Sequence, residues 1–265
     1  MTRAQRQSRK RLAAGATLEF TFPELPPTLH AMRTGDRSPT MASVHLPRDY
    51  SRRKQFPLLV YLEGGRGEPG DRTGLAKVRK ITGSRGFIAA SLPLFKKKID
   101  PREPHAGLLI AAYDDYPRIA RAYSAMLARI FAAVPNIDPG RSALGGFSNG
   151  AHTVALLLSG LHAPTLRCFR HFYLIDGGSH LTSFHKAALA DKNFLFMVGA
   201  VRGDRRRRAW LRLLEANCAL ARERTRNMTF YRMPGVGHRF PDRCAPFIRR
   251  WICRMNGPES PNRGR

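Results

Sequence analysis

Between Gly146 and Gly150 the chain reads Gly-Phe-Ser-Asn-Gly, setting Ser148 at the centre of a five-residue frame with glycine at both ends. A strand-like run, Ser142–Phe147, enters the frame, and an apolar helical run over 151–161 leaves it. At such a strand-to-helix turn, small flanking residues avoid clashes. The start of the helix aims N–H groups at developing negative charge. Under those conditions Ser148 can act as a nucleophile toward a carbonyl carbon. An ordinary Gly/Ser turn would need neither the strand nor the helix.

A serine hydroxyl attacks only if a base removes its proton, so a histidine is expected late in the chain. His238, in Pro234-Gly235-Val236-Gly237-His238, lies after a predicted strand and before the last predicted helix. His180 and His185 are the reserves among nine histidines. A carboxylate should orient the imidazole, and in chain order it should fall between the serine and the histidine. Asp204, beyond the run Phe194–Val198, is the preferred acid, with Asp176 and Asp191 as rivals. Asp204 would equally suit the N-cap of a helix opening with Arg205–Arg208.

The oxyanion of acyl transfer needs two backbone donors. Asn149 can supply one, directly after the nucleophile. Glu63-Gly64-Gly65-Arg66-Gly67 can supply the other, because glycines let a backbone approach a ligand closely. Gly65 is the expected donor, with Arg66 next. The same glycine-rich loop lacks the Gly-Lys-Ser/Thr of a phosphate loop, and no dinucleotide pattern fits.

These groups need strand ends to hold them. Thr17–Phe22 and Thr40–Leu46 read as two opening strands, possible antiparallel partners, joined by a connection that begins with the proline-rich stretch 23–27. Pro57–Leu62 is a continuous apolar run of the kind a strand buried on both faces requires. Further strands are expected at Phe87–Leu92, Ser142–Phe147, Phe172–Ile175, Phe194–Val198 and Met228–Arg232. Helices are expected over Tyr116–Ala133, where apolar residues recur at helical spacing, and over Ala151–Leu161, about Arg206–Arg222, and Phe240–Arg254. Strands alternating with helices predict an α/β class: a mostly parallel sheet of about eight strands with helices on both faces. Residues 1–16 read as a flexible basic arm, 17–255 as one domain, and 256–265 as a flexible tail.

The 265 residues include 46 Lys and Arg against 19 Asp and Glu, a formal charge of +27. The charge is spread along the chain, with no block interleaved with aromatics, so specific nucleic-acid binding is not expected. Phe95–Lys98 and Arg205–Arg208 are expected in loops or helix starts after strand ends, where they could favour an acidic acyl group or a polyanionic surface, or simply form a solvated face. Cys168, Cys218, Cys244 and Cys253 lack zinc spacing and are read as free thiols, a disulfide involving Cys244, Cys253 or Cys218 being the alternative. The basic N-terminus precedes too weak an apolar run for a secretory signal, and no stretch reaches the length of a membrane span. A cytoplasmic protein is the simplest expectation.

Over about residues 40–254 the chain resembles the α/β-hydrolase superfamily, and within it esterases similar to feruloyl esterases and polyhydroxybutyrate depolymerases. The resemblance is carried by Val44-His45-Leu46-Pro47, the strand-Gly-Gly loop, Gly146–Gly150, Asp204 and Gly237-His238. It implies an α/β-hydrolase fold, a Ser148-Asp204-His238 triad, an oxyanion hole of Gly65 and Asn149, a small-molecule ester substrate, and neither metal nor organic cofactor. One departure stands out: Glu63 replaces the histidine that usually opens the oxyanion loop. Two other readings stay open, a serine peptidase on short peptides and a non-catalytic binding protein of the same fold. The segments 96–115 and 177–191 are expected to shape the pocket.

Overall fold

A computed structural model describes residues 12–34, 40–65, 73–98, 108–110, 115–178, 187–201, 205–224 and 227–257. Its centre is an eight-stranded sheet. The strands are β1 (Thr17–Thr21), β2 (Met41–His45), β3 (Leu58–Leu62), β4 (Ile88–Ser91), β7 (Ala143–Phe147), β8 (His171–Ile175), β9 (Asn193–Gly199) and β10 (Met228–Met233). They lie in the order β1-β2-β4-β3-β7-β8-β9-β10. β1 and β2 pair antiparallel, as do β2 and β4; every other pairing is parallel. All eight expected strands are present.

The central strands β3, β8 and β9 are buried along their whole length because helices cover both faces of the sheet there. Along β3, Leu58, Val60 and Leu62 join one core while Leu59 and Tyr61 join the other. The first core packs helices α3 (Tyr116–Ala133), α4 (Asn149–Ser159) and α6 (Arg205–Arg224) on one face. The second packs α2 (Thr73–Thr82) and α7 (Ala245–Asn256) on the other. α3 presents Ile119, Tyr123, Met126, Leu127 and Ile130, the expected stripe.

Several elements depart from expectation. The connection after β1 contains helix α1 (Pro27–Thr34), opened by a proline at a position where a missing N–H costs nothing. α2 and the short α5 (Ala163–Cys168) are further additions. Lys96–Lys98 is a short strand, β5, paired antiparallel with β6 (Leu108–Ile110), rather than a loop or helix start. The ends of the expected arm and tail are tied down. Gly15 and Leu46 exchange backbone hydrogen bonds with Pro47 and Ala16, and Asn256 bonds His171. The four cysteines are free thiols.

The strand order positions the site. From β3 the chain crosses to β4 on one side, then returns past β3 to β7 on the other, so consecutive crossovers diverge between β3 and β7. Ligands of open α/β sheets bind at the carboxyl ends of strands flanking such a point. Here the Glu63–Gly65 loop leaves β3 beside Ser148 leaving β7, with Leu62 registered on Gly146.

β8, which delivers a carboxylate to the site, starts at His171. This imidazole is fully buried, bonded at Nε2 to Asn256 Oδ1 (2.8 Å) and at Nδ1 to Asn193 Nδ2 (3.0 Å), and edge-on to Trp251. Burial, opposed by the Asn256 contact and helped by Arg170 and Lys192, drops its pKa from 6.5 to about 4. The unfolded chain therefore takes up this proton first. The contribution is fully present above pH 6.5 and is lost as the pH falls to about 4. Its size is up to about 3 kcal/mol. Urea denaturation of the wild type and of His171→Gln at pH 7.5 and 4.5 should show a stability drop smaller in the variant by roughly 2 kcal/mol. An equal drop in both would dismiss this role.

Candidate active site

Ser148 stands between β7 and α4 with φ 51 and ψ −114, a strained conformation for a residue with a side chain. It persists because the surroundings leave no alternative. The Ser148 N–H donates to the Ile175 carbonyl (2.9 Å), and the Ser148 carbonyl accepts from the His152 N–H (3.0 Å). A Cβ added to Gly150 would overlap the Leu62 carbonyl oxygen. One added to Gly146 would meet Leu62 and the Gly150 backbone, and one on Gly177 would meet the Ser148 carbonyl. Glycine is therefore required at both ends of the frame by close backbone approach rather than by positive φ.

His238 Nε2 lies 3.0 Å from Ser148 Oγ, and His238 Nδ1 lies 2.7 Å from Asp176 Oδ2. An ionised carboxylate can only accept, so Nδ1 carries the proton and donates to Asp176. Nε2 is then the acceptor for the Ser148 hydroxyl. Asp176 is buried, its other oxygen Oδ1 accepts the Gly199 N–H (3.1 Å), and its own N–H donates to Met197 O (2.7 Å). Asp176 also has positive φ, 52, and the next turn is held where the Gly178 N–H donates to His152 Nδ1 (3.0 Å). The His238 ring is half-exposed and leans on Phe147, centroids 5.1 Å apart.

The carboxylate bonded to His238 thus comes from the end of β8, whereas the expected acid was Asp204, in the loop beyond β9. Asp204 lies outside the described residues, as do His180, His185 and Arg66. The reason for Asp176 is the path of the histidine loop. Ala200 N–H donates to Met233 O (3.1 Å) and Val201 N–H to Val236 O (2.9 Å), stapling residues 233–236 to the chain leaving β9. Gly199 carries no side chain, and a Cβ there would overlap the Gly237 carbonyl. His238 is brought down onto the neighbouring strand end, where Asp176 sits. A signal for this existed in Ile175-Asp176-Gly177-Gly178: an acid at the tip of a buried strand, followed at once by two glycines.

Glu63 is bound into the loop that leaves β3. Its Oε1 accepts from the Tyr61 hydroxyl (3.1 Å) and from the Gly64 N–H (3.0 Å). Burial, then the Glu63 carboxylate, hold the Tyr61 hydroxyl protonated well above its ordinary range. Glu63 therefore ties down the first N–H of the loop, leaving Gly65 to face the nucleophile turn. A Cβ on Gly65 would stand 3.0 Å from Asn149 Nδ2, so the end of the Glu63–Gly65 loop lies against the Asn149 side chain. No cluster of metal-binding side chains occurs among the described residues, and none of their helices is long and apolar enough to cross a membrane. Most of the segments expected to shape the pocket, 99–107, 111–114 and 179–186, lie outside those residues.

No sequence-family profile matches the chain, and no curated protein matches it. Solved structures do. A hyperthermophilic esterase from the archaeon Pyrobaculum calidifontis superposes with a TM-score of 0.59 at 16% identity, covering 96% of this chain and 92% of the other. The chain has the α/β-hydrolase fold. An S-formylglutathione hydrolase from Agrobacterium tumefaciens (TM-score 0.54, 14% identity, 90% and 92% covered) shares it. So does a feruloyl esterase module from Clostridium thermocellum complexed with sinapinate (0.52, 14%, 89% and 87%). On this α/β-hydrolase frame, Ser148, Asp176 and His238 follow β7, β8 and β10.

Lys77, on α2, reaches across to the histidine loop. Its Nζ donates to Phe240 O (3.1 Å) and to Asp242 Oδ1 (2.7 Å), and sits over the Phe240 ring. The Lys77 and Lys80 contacts hold the Asp242 carboxyl below its ordinary range. The ion pair is too exposed to stabilise the fold much. Its effect should be local: in Lys77→Met, amides of residues 237–244 should exchange at least several-fold faster while global unfolding moves by under about 1 kcal/mol. Unchanged exchange in that loop would show that Lys77 does not anchor it.

Proposed function

We propose that the chain is a carboxylic ester hydrolase that works through a covalent acyl-enzyme, with Ser148, His238 and Asp176 as its triad. The observation that carries this reading is the continuous line Ser148 Oγ–His238 Nε2 (3.0 Å) and His238 Nδ1–Asp176 Oδ2 (2.7 Å), within the range over which protons pass. The esterases among the structures of the same fold agree with it.

As Ser148 Oγ attacks the ester carbonyl carbon, its proton passes to His238 Nε2. The imidazolium so formed is stabilised by Asp176, which keeps the Nδ1–H tautomer in place. The carbonyl oxygen becomes an oxyanion and is met by the main-chain N–H groups of Gly65 and Asn149. The Asn149 group belongs to the first turn of α4, at the positive end of the helix dipole. Collapse of the tetrahedral intermediate expels the alkoxide, which takes the proton from Nε2. A water deprotonated by His238 then attacks the acyl-enzyme, and Ser148 leaves with the proton returned to it. The substrate is a small ester that reaches the carboxyl ends of β3, β7 and β8.

The test is hydrolysis of 4-nitrophenyl butyrate together with labelling by a fluorophosphonate. The wild type should do both and Ser148→Ala neither. Asp176→Asn should fold and lose about 10³–10⁴-fold in kcat, the scale set by a mis-held imidazole tautomer. Asp204→Asn should keep wild-type kcat. A wild type inert to both reagents would end the esterase reading. Full activity in Asp176→Asn would end the assignment of the acid.

A further inference from the structure

Beside the triad, between β9, β10 and α6, lies a cavity of about 300 Å³. Its floor and ends are Val198, Gly199, Ala200 and Leu211; its charged lining is Arg208, Arg212 and Arg232 with Glu215. Glu215 pairs with Arg232 at 2.8 Å, so one carboxylate stands among three guanidinium groups. Arg208, Arg212 and Glu215 follow one another at four- and three-residue steps, which puts them on the same side of α6 as the buried Leu211. The first turn of α6, Arg205–Arg208, carries no acidic residue of its own.

The cavity is in line with the nucleophile. Phe147 registers on Ile175, Ile175 on Met197, and Val198 on Arg232. Ser148, Asp176, Val198 and Arg232 therefore form one row across the carboxyl edge of four adjacent strands. With strands about 4.8 Å apart, the row is about 14 Å long. Gly199, in the cavity wall, also donates its N–H to Asp176.

We propose that this cavity is a substrate subsite for an anionic oxygen group, carboxylate or phosphate, carried at the far end of an ester whose carbonyl sits at Ser148. This rests on the ester-hydrolase reading and assigns it a substrate class: esters with a negatively charged terminus several bonds from the scissile carbonyl. A planar guanidinium binds either anion through paired N–H donors, and three around one cavity hold it more firmly than one. The apolar floor of Val198 and Leu211 suits the hydrocarbon that leads the anion in.

The test compares 4-nitrophenyl hydrogen suberate, which ends in a carboxylate, with neutral 4-nitrophenyl octanoate, on the wild type and on Arg208→Gln/Arg212→Gln. Both residues are exposed on α6, and equal thermal midpoints would show that the double variant folds. For the anionic ester the variant should raise KM about tenfold or more, the factor that charge-assisted contacts supply. Its kcat, and both constants for the octanoate, should hold. Unchanged KM for the anionic ester, or equal losses for both esters, would overturn the subsite. Glutarate and inorganic phosphate should bind the intact wild-type chain calorimetrically, more weakly at high salt, and fail to bind the double variant; absence of wild-type binding to both would overturn it too. If neither ester turns over and Ser148 does not label, the hydrolase reading fails separately, and the calorimetric arm still decides the anion site.

Discussion

The Ser148 turn exists because three backbones meet where no side chain intervenes. Gly146 and Gly150 press against the Leu62 carbonyl at the end of β3, and Gly177 presses against the carbonyl of Ser148 itself. A positive φ at a residue with a side chain costs about 1–3 kcal/mol. Two backbone hydrogen bonds, to Ile175 and from His152, oppose that cost at roughly 1 kcal/mol each, and the packing of α4 on both neighbouring strands supplies the rest. The same contact fixes two other parts of the site. Jamming α4 onto β3 places the Glu63–Gly65 loop beside the hydroxyl, and jamming it onto the loop after β8 places Asp176 within reach of the imidazole. A side chain at Gly150 would therefore disturb nucleophile and oxyanion loop together.

The parallel strands were legible because burial on both faces demands unbroken apolar runs, and Pro57–Leu62 and Phe194–Val198 supply them. The turn at Ser148 was legible for a related reason: glycine at 146 and 150 is a trace of backbone contact that the sequence must keep. α2 was not legible. Leu75, Val78 and Ile81 form its buried stripe, but Lys77, Arg79 and Lys80 fall between them, and the charges hide the period. α1 was obscured by the prolines at its start, although Pro27 opens the helix without penalty.

The carboxylate that partners His238 was the hardest residue to read because the path of the histidine loop, rather than the carboxylate's own neighbours, decides it. Asp176 and Asp204 both follow apolar strands in the sequence. What separates them is that residues 233–236 are stapled to the chain leaving β9, which turns His238 back over β8. Nothing in the types of residues 200–204 encodes that path. The two glycines after Asp176 do encode something, since they let the loop pass under Ser148 and leave the carboxylate buried with Gly199 as a hydrogen-bond donor.

Glu63 first reads as a liability, a carboxylate where negative charge must be stabilised. In place its Oε1 is held by the Tyr61 hydroxyl and by the Gly64 N–H, which fix where the carboxylate stands in the loop. Its cost is one N–H of the loop, which is taken by the carboxylate before the chain reaches Gly65. α2 then gains a second importance. It follows the oxyanion loop in the chain and, through Lys77, grips the segment that follows His238. One helix thus spans from the loop that would receive negative charge to the loop that would receive the proton, so a shift of α2 along the sheet would move both relative to Ser148. The geometry between them is set by the packing of Leu75, Val78 and Ile81 beneath, far from any reacting atom.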